Sequence, residues 1–138
     1  MSAATGCFEP KMMATAIVVR KRILIVDDQE EVRETIKMLL NLDEHTVTEA
    51  SSGKEALELF KPDHFDLVMT DYAMAGMRGD VLAARLKQIA PLQLILMVTG
   101  SAAEESAVAL KVDGLLGKPF LLNELRQALG GLLTPVQA

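Results

Sequence analysis

Residues 22–28 read RILIVDD, a short apolar run that ends in two carboxylates. A continuous apolar stretch of this length, closed by polar residues, is typical of a strand buried on both faces of a parallel sheet. The following segment, 29–42, carries apolar residues at helical spacing, among them Val32, Ile36 and Leu40. The two segments predict a strand followed by a helix that packs on the sheet.

The strand-helix pattern recurs four more times along the chain. Further strands are predicted at 45–50, 65–71, 92–98 and 114–117, and their helices between Gly53 and Pro62 and at 79–89, 102–110 and 120–133. Five such units predict an α/β fold with a three-layer, doubly wound, five-stranded parallel sheet, because right-handed crossovers place helices on both faces. The flavodoxin-like pattern gives the expected strand order 2-1-3-4-5.

The composition indicates one globular domain. The chain has 138 residues, half of them hydrophobic, which is enough apolar surface for a single buried core. The net charge is −5 and the basic cluster 20–22 is too short to follow a phosphate backbone, so direct nucleic-acid binding is not expected. We expect the folded domain at 21–133, with flexible tails at 1–20 and 134–138.

Cysteine and histidine, which often carry chemistry, are sparse in this chain. Cys7 is the only cysteine, which excludes an internal disulfide or a cysteine-pair metal site, and His45 and His64 are expected to be packing or surface residues. The opening residues do not resemble a secretory signal, and the apolar run 94–98 is too short to cross a bilayer. We therefore expect a cytoplasmic protein.

Polar residues gather where the predicted strands end. Asp27 and Asp28 follow the first strand, Asp71 and Thr99 end the third and fourth, and Lys118 follows the fifth. Ligands of open α/β sheets bind at this edge. Two carboxylates about 4 Å apart repel each other by about 4 kcal/mol at an effective dielectric of 20, so a cluster of three favours a hard divalent cation such as Mg²⁺. Each residue alone also fits a helix cap or a turn, and the combination favours a site.

The motifs around these residues resemble the response-regulator receiver family, whose fold is called CheY-like. The resemblance covers about 22–133 and rests on four stretches: the acidic pair 27–28, DYAMAGMRG at 71–79, VTGSA at 98–102 and KPF at 118–120. It implies a two-component signalling protein that takes a phosphoryl group from a sensor histidine kinase or a phosphotransfer protein. It also implies a downstream protein target or effector domain as a second partner.

The resemblance assigns a role to each site residue. Asp71 is implied to be the phosphoacceptor, in a protein that catalyses its own phosphorylation and dephosphorylation rather than an enzyme with a separate substrate. Asp28, Asp71 and the backbone carbonyl of Ala73 are implied to hold Mg²⁺ directly, and Asp27 through water.

Thr99 and Lys118 complete the implied site. Both are implied to contact phosphoryl oxygens, and the movement of Thr99 is implied to switch the surface of helix 4, strand 5 and helix 5. The resemblance also implies a cis peptide bond between Lys118 and Pro119, which an X-Pro bond permits.

Three residues depart from the family pattern. Leu115 stands where the family usually has Tyr or Phe, so the usual aromatic switch is absent and the output surface is expected to respond differently. Ala75 replaces a common Pro, which should loosen the loop after Asp71. Ala73 has no polar side chain to steer an attacking water. Nearby Arg78 is expected to be a solvated surface residue.

Other classes of protein share parts of this pattern. A haloacid-dehalogenase phosphatase also uses an Asp nucleophile after a strand, but it needs a second Asp where this chain has Ala73. A flavodoxin-like cofactor binder has a Ser-, Thr- and Gly-rich loop after its first strand, where this chain has DDQEE. The strongest alternative is a receiver-like interaction module whose output is independent of phosphorylation, as the departure at Leu115 would allow.

Overall fold

The computed structural model describes residues 20–133, in which five strands alternate with five helices. The strands are β1 (Arg22–Val26), β2 (Thr46–Ala50), β3 (Leu67–Asp71), β4 (Ile95–Thr99) and β5 (Gly114–Gly117). The helices are α1 (Glu30–Leu42), α2 (Gly53–Leu59), α3 (Gly79–Ile89), α4 (Ala102–Val108) and α5 (Leu122–Leu133).

The strands form one parallel sheet in the order β2-β1-β3-β4-β5. The predicted fold class and strand order are therefore confirmed. The register aligns the carboxyl ends of β3, β4 and β5 at one edge of the sheet, since Asp71 lies opposite Val98 and Thr99 lies opposite Gly117. Side chains from neighbouring strands consequently meet at a single edge.

The core has two halves because successive strand residues point to opposite faces of the sheet. Leu24 and Val26 pack in the half covered by α2, α3 and α4, whereas Ile23 and Ile25 pack in the half covered by α1 and α5. The buried helix residues on the first face are Ala56, Leu82, Ala83, Leu86 and Val108, and those on the second are Ile36, Leu40, Leu125 and Leu129. These apolar stripes follow the predicted helical spacing.

Some boundaries and side-chain positions differ from the sequence-based expectation. The fourth strand begins at Ile95 instead of residue 92, because the chain turns after Pro91 and leaves Leu92 93% exposed. Ile89 lies at the exposed end of α3, half accessible to solvent. His45 is buried and His64 is exposed, as expected for packing and surface residues.

Two further expectations concern the chain termini and membrane-spanning helices. The predicted tails, 1–20 and 134–138, lie outside the described residues apart from Arg20. Within the described part of the chain, no helix has the length and apolar character needed to cross a membrane.

Candidate functional site

Three carboxylates converge at the carboxyl edge of the sheet. Asp27 and Asp28 follow β1, and Asp71 ends the adjacent strand β3. One carboxylate oxygen from each residue lies within 4.8 Å of the others. Asp27 and Asp71 are only 2% and 6% exposed, while Asp28 is open to solvent. The arrangement concentrates negative charge in a half-buried pocket.

Lys118 brings an ammonium group into this pocket. Its Nζ lies 2.9 Å from Asp71 Oδ1 and 3.7 Å from Asp27 Oδ2. The Lys118 backbone N–H donates to the Thr99 carbonyl oxygen at 2.7 Å, which continues the β4–β5 pairing to the base of the lysine. The Lys118–Pro119 peptide bond is cis, as expected from the resemblance.

Burial and charge act in opposite directions on this pair. Burial raises the pKa of Asp71; the bond to Lys118 opposes the rise, and the charges of Asp27 and Asp28 add to it, so the net shift is upward. Burial would lower the pKa of Lys118, but its bond to Asp71 and the charges of Asp71 and Asp27 outweigh that effect and raise it. Lys118 therefore remains an ammonium at neutral pH.

Hydrogen bonds hold the acidic pair in place. Asp27 Oδ1 accepts from the Gln29 N–H at 2.9 Å, and the Asp27 carbonyl oxygen accepts from Arg33 Nη1 at 2.7 Å. Asp28 Oδ2 accepts from the Ala75 N–H at 3.0 Å, which joins the loops after β1 and β3. The N-cap of α1 is Gln29, which makes no side-chain capping bond. Neither aspartate is the N-cap of α1, the ordinary role that the sequence left open.

The loop after β3 approaches the strand so closely that one position requires glycine. The Gly79 N–H donates to the Tyr72 carbonyl oxygen at 2.8 Å, and a Cβ at Gly79 would overlap the carbonyl oxygen of Asp71. Ala73 is exposed, and within residues 20–133 no hydrogen bond is donated to its carbonyl oxygen. That oxygen, two residues after Asp71, is therefore not occupied by a protein donor within the described residues.

Arg78 does not reach the carboxylate cluster. It forms a two-point ion pair with Asp80, with its Nε 3.1 Å from Asp80 Oδ1, and its guanidinium lies 5.7 Å from the centre of the Tyr72 ring. The side chain is more than half exposed. The interpretation of Arg78 as a surface residue agrees with this position.

Thr99 lies at the same edge, fully buried at the end of β4. Its Oγ1 donates to Glu105 Oε2, on α4, at 3.4 Å. Leu115, at the position of the missing aromatic, is partly buried against the core half that includes α4.

Sequence reasoning missed Glu105 and Arg33. The Ser101–Glu104 spacing fits a helix-capping pattern and predicts where α4 begins, but it does not indicate that the next residue touches Thr99. Arg33 looks like an ordinary helix-surface charge in the sequence, and its contact with the Asp27 carbonyl follows only from the packing of α1 on β1.

The donor atoms of the cluster are the carboxylate oxygens of Asp27, Asp28 and Asp71. Mg²⁺ and Ca²⁺ prefer such ligands, whereas zinc and other softer metals take nitrogen or sulfur. The residues therefore fit a hard divalent cation. The structure brings together Asp27, Asp28 and Asp71, with the Lys118 ammonium beside Asp71 and Asp27. Thr99 lies at the end of the neighbouring strand β4, where its hydroxyl contacts Glu105.

Comparisons with known proteins agree with this fold and site. The family model described as the response regulator receiver domain matches residues 23–130. The chemotaxis protein CheY of Halobacterium salinarum is 32% identical over 117 residues, which cover 83% of this chain and 98% of that protein. The autoinducer 1 sensor kinase/phosphatase LuxN of Vibrio campbellii is 36% identical over 113 residues, but these cover 80% of this chain and only 13% of LuxN.

Solved structures show the same relationship. The response regulator TrrA of Thermotoga maritima, in complex with Mg²⁺ and BeF, has a TM-score of 0.74 and 28% identity, with 81% of this chain and 98% of that chain covered. Sequence, strand order and site therefore point to one family. The chain belongs to the response-regulator receiver domains of two-component signalling.

Proposed function

We propose that Asp71 accepts a phosphoryl group in a Mg²⁺-dependent reaction, and that phosphorylation changes the α4, β5 and α5 surface that a partner recognises. The observation that carries the proposal is the Lys118 ammonium 2.9 Å from Asp71 Oδ1, inside a cluster of two further carboxylates. A buried nucleophilic carboxylate held between a cation and a set of metal ligands is suited to phosphoryl transfer.

The proposed reaction uses an Asp71 carboxylate oxygen as the nucleophile. That oxygen forms a bond to phosphorus while the phosphorus–nitrogen bond of a phosphohistidine breaks, and the imidazole leaves with the electron pair. Lys118 neutralises charge on the phosphoryl oxygens, which is the main requirement of phosphoryl transfer. Attack of water on phosphorus later breaks the bond to Asp71 and releases inorganic phosphate.

The proposed metal is Mg²⁺, held directly by Asp28, Asp71 and the Ala73 carbonyl oxygen and through water by Asp27. When bound, the metal would neutralise negative charge and allow an anionic phosphoryl donor to approach. The assignment is supported by the exposure of Asp28 and Ala73 and by the lack of a hydrogen-bond donor to the Ala73 carbonyl within residues 20–133. The complex of TrrA with Mg²⁺ and BeF supports it by analogy.

The alternatives raised by the sequence receive less support. A phosphatase of the haloacid-dehalogenase type would need a general acid at Ala73, which has no titratable side chain. A module independent of phosphorylation has no need for the buried carboxylates and the lysine beside them, since each buried charge costs stability.

The proposed phosphoryl donor is a sensor histidine kinase or a phosphotransfer protein. The relatives include a sensor kinase/phosphatase and a response regulator, MprA, of which this chain spans 13% and 50%. The downstream partner is a protein target or an effector domain. The cytoplasmic location and the domain bounds of 21–133 expected from the sequence belong to the same proposal.

Intact mass spectrometry after incubation with acetyl phosphate tests the proposal. With Mg²⁺, the wild-type protein should gain the mass of one phosphoryl group, and the gain should disappear on chelation. Asp71→Asn should abolish it. Asp66→Asn is the matched control, because Asp66 lies just before the opposite end of the same strand. Phosphorylation that persists in Asp71→Asn, or that ignores chelation, would overturn the assignment.

A further inference from the structure

A contact between Thr99 and Glu105 is not used by the proposed phosphoryl transfer. Thr99 Oγ1 donates to Glu105 Oε2 at 3.4 Å, and Thr99 is fully buried. Within residues 20–133, the Glu105 carboxylate is the acceptor for the Thr99 side-chain hydroxyl. A buried hydroxyl is strongly disfavoured without an acceptor, so its partner determines which way it points.

The Glu105 carboxylate lies over the ends of two strands. Besides its contact with Thr99 on β4, Glu105 Oε2 is 3.4 Å from the point where a side chain at Gly117 would begin. Gly117 is the last residue of β5 and directly precedes Lys118. Glu105 therefore lies beside the ends of β4 and β5, the strands that carry Thr99 and lead into Lys118.

Few contacts anchor α4 to the rest of the fold. The helix has seven residues, of which Val108 is the buried one. Its first turn is held by the Ser101 cap and by a bond from the Gly100 N–H to Glu104, both local to the loop. The Glu105 contact joins the helix to the buried end of β4, so its loss would leave α4 with little besides Val108 and its own cap.

We propose that Glu105 is a positioning residue that holds the Thr99 hydroxyl while the protein is unphosphorylated, an inference that rests on the proposed function of Asp71. A hydroxyl has one proton to donate, and a carboxylate and a phosphoryl group repel each other. When Asp71 is phosphorylated, Thr99 exchanges Glu105 for a phosphoryl oxygen. The released carboxylate moves away, and α4 shifts to a more mobile arrangement.

This exchange gives the site a polar connection to α4. Receiver domains usually have an aromatic switch residue at the position of Leu115. Leucine has no group that forms a hydrogen bond with a hydroxyl. Glu105 supplies a link from the buried hydroxyl to the first half of the helix.

A double-mutant cycle between Glu105 and Thr99 tests the proposal. The rate of phosphorylation by acetyl phosphate with Mg²⁺ is measured by intact mass, and amide hydrogen exchange of residues 102–108 is measured before and after phosphorylation. Glu105→Ala should raise the rate about two- to tenfold, the value of one released hydrogen bond. Glu105→Gln keeps an acceptor oxygen and should lie between Glu105→Ala and wild type.

The same cycle separates a hydrogen bond from a charge effect. In the Thr99→Val background, Glu105→Ala should have no further effect on the rate, because no hydroxyl is left to release. Glu104→Gln removes the same charge from the neighbouring position but keeps an oxygen that can accept from the Gly100 N–H, so it should behave as wild type. An equal acceleration with and without the Thr99 hydroxyl, or with Glu104→Gln, would show simple repulsion and overturn the proposal.

Amide exchange of the unphosphorylated variants tests the Glu105 contact separately from the rate of phosphoryl transfer. In the unphosphorylated Glu105→Ala variant, the amide hydrogens of residues 102–108 should already exchange as fast as in phosphorylated wild type. In unphosphorylated Glu104→Gln they should exchange as slowly as in unphosphorylated wild type. Unchanged exchange in Glu105→Ala would refute the proposal even if every variant is phosphorylated. Absence of phosphorylation in wild type would instead refute the function of Asp71, while the exchange data would still report on the Glu105 contact.

Discussion

Asp71 is buried beside two other carboxylates, a placement that costs stability and that the proposed reaction would use. Burial raises its pKa despite Lys118, so the native state resists the charged form. For a carboxyl with a raised native pKa, the penalty is absent below the unfolded-state value near 3.8 and is complete once the pH exceeds the native pKa.

Asp71→Asn should therefore raise the free energy of unfolding of the metal-free protein at pH 7, by about 0.5–2 kcal/mol. The gain should shrink as the pH falls toward 3.8, where wild-type Asp71 is protonated in both states. Urea unfolding across this pH range measures both effects. A variant less stable than wild type at pH 7 would contradict the view that Asp71 is strained by its surroundings.

His45 is a second buried titratable residue, and its burial makes the stability of the fold depend on pH. The folded protein favours the neutral ring over the charged ring. Burial lowers its pKa, and its Nδ1 accepts from the Lys21 N–H at 3.0 Å, which requires the neutral ring. The unfolded chain binds a proton at a higher pH than the native protein. Stability should consequently fall as the pH drops below about 6.5.

His45→Asn should remove this part of the pH dependence and, at pH 7.5, cost about 0.5–1.5 kcal/mol if the Lys21 bond is lost. Unfolding curves between pH 7.5 and 5.5 give the measurement, with the same substitution at the exposed His64 as the control. If wild type gains stability between pH 7.5 and 5.5 and His45→Asn does not, the His45 ring is charged in the native state.

At the scale of the elements, the turn from β3 into α3 depends on the missing side chain of Gly79. A Cβ there would overlap the Asp71 carbonyl oxygen and press on Met97 Sδ, and the backbone oxygen has no room to yield. Gly79→Ala should cost about 1–3 kcal/mol and displace Asp71. Gly131→Ala, in α5 with no atom near the new methyl group, should instead stabilise by about 0.5–1 kcal/mol. Equal effects of the two substitutions in chemical denaturation would argue against the close approach.

The elements themselves were predictable from apolar spacing, and the exceptions have physical causes. Strands buried on both faces, such as β1 and β4, leave continuous apolar runs, and α1 and α5 show one apolar stripe each. Leu92 lies in the same apolar stretch of sequence as β4, yet the turn after Pro91 directs it into solvent. The site residues were predictable because strand ends of a parallel sheet meet; the Glu105 and Arg33 contacts depend on helix packing that no spacing encodes.

At the scale of the whole molecule, binding of the proposed metal at the three carboxylates would be linked to the stability of the entire domain. A cation that binds only the native state stabilises it by mass action, by about 2.7 kcal/mol at a hundredfold excess over Kd. Mg²⁺ should therefore raise the Tm in a concentration-dependent way. Asp28→Asn should remove most of the rise, whereas Asp66→Asn, at the opposite edge, should retain it. Thermal unfolding that is insensitive to Mg²⁺ would contradict the proposed metal site.

Asp71 is proposed to be the residue that accepts the phosphoryl group, to the exclusion of Asp27 and Asp28. An acyl phosphate is reduced by borohydride to the alcohol, so treatment of the phosphorylated protein followed by peptide sequencing in a mass spectrometer marks the modified side chain. We predict homoserine at position 71 after incubation with acetyl phosphate and Mg²⁺, and unmodified Asp27 and Asp28. Reduction at either of those residues, or no reduced residue in a protein that has gained a phosphoryl group, would contradict the account.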